Sequence, residues 1–129
     1  MLKTGILNPH LLSLLARVRH TNTLVIADRG FPSWPGMEII DLSLVDDVPT
    51  VLQVLTAVKS NFVIAQSFMA EEFTRYNAPE RLLAVEQALE GAPLSFEPHD
   101  LFKKRIPSAT GLIRTGDTIQ YGNMVLVSG

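Results

Sequence analysis

His20-Thr21-Asn22-Thr23-Leu24-Val25-Ile26-Ala27-Asp28 is the stretch on which the fold turns. Thr23 to Ala27 is a short apolar run without alternation, closed by an acid, the pattern of a β-strand covered on both faces. Upstream, Asn8-Pro9 signals a helix start, because the Asn side chain accepts from free amides and Pro needs no donor at the first helical position. Leu11, Leu14, Leu15 and Val18 then recur at helical spacing. A helix feeds a buried strand, with His20 at the junction and Asp28 at the far end.

Downstream, residues 29–36 hold two Pro, two Gly and two large aromatics, which predicts a structured loop whose aromatics cover a sheet edge. Met37 to Leu42 reads as a short strand before an acidic turn at Asp46 and Asp47. Pro49 opens a second amphipathic helix with Val51, Val54, Leu55 and Val58 inward. Asn61 to Met69, with Phe62-Val63-Ile64-Ala65, reads as a second strong strand, followed by a helical turn at Ala70 to Phe73. Asn77, Pro79 and Glu80 announce a third long helix that turns Leu82, Val85 and Leu89 inward and ends before Gly91. Strands at Leu94–Glu97, Thr110–Arg114 and Asn123–Val127 surround a short helix at Asp100–Arg105. Helices and strands alternating at this length predict a single α/β domain over residues 1–129, its mostly parallel central sheet flanked by helices.

The 129 residues are 47% hydrophobic and 19% charged, enough apolar content for one full core. The chain has no Cys, which excludes a disulfide framework, a thiolate zinc site and a cysteine nucleophile, and is compatible with the cytoplasm. A formal charge of −2 argues against nucleic-acid binding. Apolar runs such as Leu24–Ala27 fall far short of the roughly 20 residues that span a bilayer. The first 27 residues carry Lys3, Arg17 and Arg19 without an acid, a charge pattern of transit peptides, but they read better as the helix and strand just described.

No glycine pattern matches a dinucleotide fingerprint or a phosphate-binding loop. His10, His20 and His99 include no close pair, so a helical zinc site is not expected. Lys103-Lys104-Arg105 reads as a solvated helix face. The polar groups left at element ends, where α/β sites are built, are the histidines, Asp28 and Tyr121-Gly122-Asn123. From the residues alone, a structural role is the better reading for each, and His10, inside the first helical turn, is assigned none.

The chain resembles the family of D-ribose pyranases and fucose mutarotases. The likeness runs through Gly5-Ile6-Leu7-Asn8, His20 to Val25, Asp28, Gly30-Phe31-Pro32, Asp41, Pro49 (after Val48), Gln53-Val54-Leu55 and Ala70-Glu71-Glu72. It continues through Pro98-His99-Asp100-Leu101-Phe102-Lys103, Ile113 to Asp117 and Tyr121 to Leu126. This resemblance implies a sugar-ring isomerase that opens and recloses an aldopyranose by acid–base catalysis, with no cofactor and no metal. It implies His20 as proton donor and Asp28, His99, Tyr121, Gly122 and Asn123 as substrate-binding residues. His99 points to D-ribose; Tyr121-Gly122-Asn123 looks more like the fucose branch, so L-fucose or another aldose is the alternative. A non-catalytic sugar-binding accessory of a transport system is a further alternative, and an assembly module without a ligand another. Arg29 stands where a small residue is usual and is expected to narrow or recharge the pocket. The resemblance also implies a pentamer or decamer with sites between subunits, His99 reaching the sugar from the neighbour.

Overall fold

In the computed structural model, which describes residues 1–129, the first helix and strand are α1 (Pro9–Arg17) and β1 (Thr23–Ala27). Asn8 caps α1 by accepting from the Leu11 backbone N–H at 2.9 Å. Both faces of β1 are covered, as its unbroken apolar run predicts. Leu24 and Ile26 join a core built with α1, α2 (Val51–Lys59) and α4 (Pro79–Leu89). Val25 and Ala27 face the other way, into a smaller core with Phe31 and with Phe102 of α5 (His99–Arg105).

The remaining elements are β2 (Ile39–Asp41), β3 (Ile64–Ala70), α3 (Glu72–Tyr76), β4 (Leu94–Glu97), a 3₁₀ turn at Ile106–Ser108, β5 (Gly111–Arg114) and β6 (Met124–Ser128). No helix is long and apolar enough to cross a membrane. Most boundaries lie within one to three residues of those the sequence predicts, and two of the differences have a clear physical cause. Helix α2 starts at Val51, two residues after Pro49, because Thr50 and Gln53 form a reciprocal capping box that fixes the first turn. Strand β3 starts at Ile64, and its best-buried residues are Ser67, Met69 and Ala70, while Val63 is exposed. The apolar run therefore precedes the strand's interior, where a buried Ser67 hydroxyl donates to the Pro93 carbonyl at 2.6 Å.

The six strands are ordered β2-β5-β1-β6-β3-β4. Five of them share one direction, as the α/β pattern predicts, and β6 runs antiparallel between β1 and β3. This reversal brings the start of β6 beside the end of β1, with Met124 opposite Ile26. Residues 29–36 cover a face of the sheet more than its edge: Phe31 is buried in the smaller core and stacks on Trp34 at 5.3 Å. Arg114, from β5, holds that loop by donating to the Phe31 carbonyl and the Ser33 hydroxyl, each at 2.9 Å, and pairs with Asp41 at 3.2 Å.

Two predictions follow from these contacts. A Cβ on Gly111 would stand 2.6 Å from a methyl of Leu14, which is fully buried and has little room to give. Gly111→Ala should cost about 1–3 kcal/mol through overpacking, read as a lower urea midpoint, and an unchanged midpoint would contradict this packing of α1 on β5. The Asp41 carboxyl lies below the usual carboxylate range, chiefly through the Ser43 hydroxyl, then the Ser43 amide and Arg114. Because folding lowers this pKa, its stabilisation is complete above the ordinary carboxylate range and is lost as pH falls through that range toward the lowered value. Asp41→Asn should therefore flatten the acid limb of the stability–pH curve, and a curve parallel to that of the unsubstituted protein would contradict the assignment.

Candidate active site

A cleft of about 390 Å³ opens at the edge of the sheet where β1 and β4 end and β6 begins. Asp28, His99, Tyr121 and Asn123 all line it. Sequence separation hides this grouping, and the antiparallel course of β6 creates it. The buried Asn123 oxygen accepts the Asp28 backbone N–H at 2.7 Å, so the first residue after β1 is tied to the residue just before β6. That bond occupies Asn123 Oδ1 and leaves its NH₂ group to donate. One Asp28 carboxylate oxygen accepts the Gly30 N–H at 2.9 Å, which turns the chain and leaves the other oxygen for a ligand.

His99 is the first residue of α5, and its position is set at the backbone. Both carboxylate oxygens of Glu72, in the first turn of α3, accept the His99 N–H, at 3.2 and 2.9 Å. An acid there also favours the positive end of a helix. The His99 ring meets Tyr121 edge-on at 5.1 Å. Tyr121 has a left-handed backbone with φ of 55°, and a Cβ on the buried Gly122 would collide with the Ile119 side chain, so the Tyr-Gly pair forms a tight turn into the cleft. Gly122 itself contributes close packing and does not line the cleft.

His20 stands apart. It is exposed, in the turn between α1 and β1, where Thr21 N–H donates to the Ser128 carbonyl at the far end of β6. It lines neither large cavity. The five residues of β1, about 16 Å of strand, separate this turn from Asp28. Within one chain, His99 therefore lies with Asp28, Tyr121 and Asn123, and His20 is the residue left out, which reverses the expectation that His99 would come from a neighbour. Arg29 does not recharge the cleft either. Its guanidinium turns away to Asp46 at 2.8 Å, and both side chains are exposed.

The cleft includes residues that the sequence reading passed over. Lys103 lines it, although the basic run at 103–105 suggested a solvated face. Its spacing carried the signal: four residues after His99, it falls on the same face of α5. Arg105, at the end of that run, lies over the Phe68 ring at 3.6 Å and pairs with Glu97, so it packs on the sheet. Phe31, Pro32 and Gln120 complete the wall. The result is a shallow cleft with one carboxylate, one ammonium group, one imidazole, two side-chain amides and one phenol, a set able to hold several hydroxyls in both donor and acceptor senses. No group of three or more His, Asp or Glu side chains is placed to hold a metal ion.

The cleft's bonding yields a direct check. Asn123→Asp would set a second carboxylate against Asp28 and replace the amide donor. It should weaken ligand binding by at least about tenfold, read by titration calorimetry, and unchanged affinity would remove Asn123 from the site.

The chain matches, over residues 1–129, the model of the RbsD / FucU transport protein family. It is 42% identical over 129 residues to a D-ribose pyranase of Geobacillus kaustophilus, covering all of this chain and 94% of that protein. In three dimensions it resembles Bacillus subtilis RbsD complexed with D-ribose, with a TM-score of 0.93 and 32% identity over 100% of this chain and 98% of the other. It shares its fold with a fucose mutarotase from Streptococcus pneumoniae in complex with L-fucose, with a TM-score of 0.80 and 20% identity over 95% and 92% of the two chains. A family match over the whole length, a relative at this identity and a solved structure matched at a TM-score of 0.93 agree: the chain belongs to the RbsD / FucU family.

Proposed function

We propose that this chain is a sugar-ring isomerase that interconverts the pyranose and furanose forms, and the anomers, of D-ribose. The observation that carries this reading is the convergence of Asp28, His99, Tyr121 and Asn123 on one cleft, in a chain similar along its whole length to proteins named D-ribose pyranase. The domain spans residues 1–129 and works in the cytoplasm. Opening the ring requires a proton on the ring oxygen and loss of the proton from the anomeric hydroxyl, after which the C1–O bond breaks and the aldehyde forms. Reclosure by the hydroxyl on C4 gives the furanose. Positioned side chains suffice for these transfers, without a cofactor.

His20 is the proton donor in this reading. An imidazole, with an unperturbed pKa of about 6.5, both gives and takes a proton near neutrality. Because one chain holds His20 at the opposite end of β1 from the cleft, a second copy must deliver it. We therefore assign the working protein as a closed homo-oligomer, a pentamer or decamer, in which each cleft receives the His20 turn of its neighbour. The free Asp28 oxygen accepts from sugar hydroxyls, the Asn123 NH₂ donates to one, and Tyr121 offers a ring edge and a hydroxyl. His99 and Lys103 supply further donors on the same helical face.

Saturation-transfer NMR on equilibrated D-ribose tests the assignment. The protein should accelerate pyranose–furanose exchange, and His20→Ala should lose about 10²- to 10⁴-fold of that rate while still binding sugar. No acceleration with ribose, but acceleration with L-fucose, would move the substrate to the alternative aldose; binding without exchange would make the chain a sugar-binding accessory. Mixing tests the shared site. His20→Ala and Asp28→Asn chains, each inactive alone, should regain about a quarter of the exchange rate when co-assembled at random, because a heterologous interface pairs an intact residue from each copy. Co-assembly without recovery would place both residues' work in one chain.

A further inference from the structure

A second and larger cavity, of about 450 Å³, lies on the other side of the segment that carries Tyr121. Buried Met69 and Phe73 line it, and its rim is polar. Tyr76 presents a 62% exposed ring there and continues the aromatic line of the first cleft, its centroid 5.3 Å from that of Tyr121, which in turn meets His99. Gln120 lines both cavities. The two spaces therefore share one wall.

The groups around this cavity define the ligand. Asp117 is buried, and its two oxygens are taken by the backbone N–H groups of Val51 at 2.8 Å and Ile119 at 2.9 Å. It ties α2 to the shared wall and has no call for a cation. Asp47 is held at the rim by Thr118, whose hydroxyl donates to one carboxylate oxygen at 2.7 Å, and its other oxygen accepts no hydrogen bond within the chain. Arg81 brings one exposed guanidinium to the same rim and enters no ion pair. The carboxylates of Asp47 and Asp117 against the Arg81 guanidinium leave an excess of one formal negative charge, and backbone N–H groups already meet the Asp117 carboxylate, so little charge is left with which to recruit an ion. Asn77 spends its NH₂ on the Phe73 and Gln120 carbonyls, at 2.9 and 2.8 Å, leaving its oxygen as an acceptor. An exposed aromatic face beside carboxylate, guanidinium and amide groups suits a neutral molecule with one C–H face and several hydroxyls.

We propose that this cavity is a second site for a neutral polyhydroxylated molecule, an aldose or alditol, independent of ring isomerisation. Its occupancy bears on residues 117–122, and these carry Tyr121.

Equilibrium dialysis of the assembled protein against labelled D-ribose, and separately against ribitol, which has no ring to isomerise, tests this. Hydrogen exchange read by mass spectrometry locates the ligand. The expected result is two ribose molecules per chain, with protection in both residues 28–32 and residues 73–82. Asp28→Asn should abolish the first protection and keep the second. Tyr76→Ala and Arg81→Ala should each weaken the second binding by about tenfold and leave the first within about twofold. One molecule per chain, or protection at 73–82 that vanishes with Asp28→Asn, overturns the second site. Because the two regions are read separately, loss of ribose from the first cleft alone counts against the isomerase reading and leaves this one standing. Absence of protection at 73–82 with both probes counts against this one alone.

Discussion

The buried amide oxygen of Asn123 accepts the backbone N–H of Asp28 at 2.7 Å, joining positions 95 residues apart in the chain. The bond exists because β6 enters the sheet antiparallel between β1 and β3, so that its first residues meet the end of β1. Had the last strand run parallel, Asn123 would lie near the His20 turn and the cleft would lose one wall. The same bond settles the chemistry of both partners. It leaves Asn123 as a donor and holds Asp28 where a carboxylate oxygen stays free, and the Gly30 N–H completes the turn.

Much of this was legible in the residues and some was not. The unbroken apolar run at 23–27 carried the two-sided burial of β1, and Asn8-Pro9 carried the start of α1, because both signals are local. The direction of β6 was hidden, since an apolar strand of five residues reads alike either way. The start of β3 was misplaced for a related reason: Phe62 and Val63 are the apolar residues that draw the eye, while register with β6 and β4 selects the stretch beyond them. At the site, the resemblance supplied the residue set, and Asp28, His99, Tyr121 and Asn123 do share a cleft. Lys103 was missed because a run of three cations was weighed as a block, although its members point different ways: one into the cleft, another onto Phe68.

His20 is the instructive case. Its place before β1 is a matter of sequence, and the five residues of β1 put about 16 Å of strand between the His20 turn and Asp28. A single chain cannot bring such an imidazole to Asp28 without unravelling the central strand. Small size sharpens the point, because a 129-residue domain with a filled core on each side of its sheet has a shallow cleft to offer, not an enclosed pocket. Under the function proposed above, a neighbouring copy would supply both a lid that excludes water and the missing acid. On that proposal catalysis and assembly are one property, and the exposed His20 turn, held in shape by its bonds to the end of β6, would be the interface element.

That dependence is most directly tested by dilution. Ribose ring exchange per chain should be constant while sedimentation shows the oligomer intact, and should fall together with the oligomer as the protein is diluted through its dissociation range. Full activity per chain in a preparation that sediments as the monomer would contradict the account, because it would show that one chain suffices for the complete proton transfer.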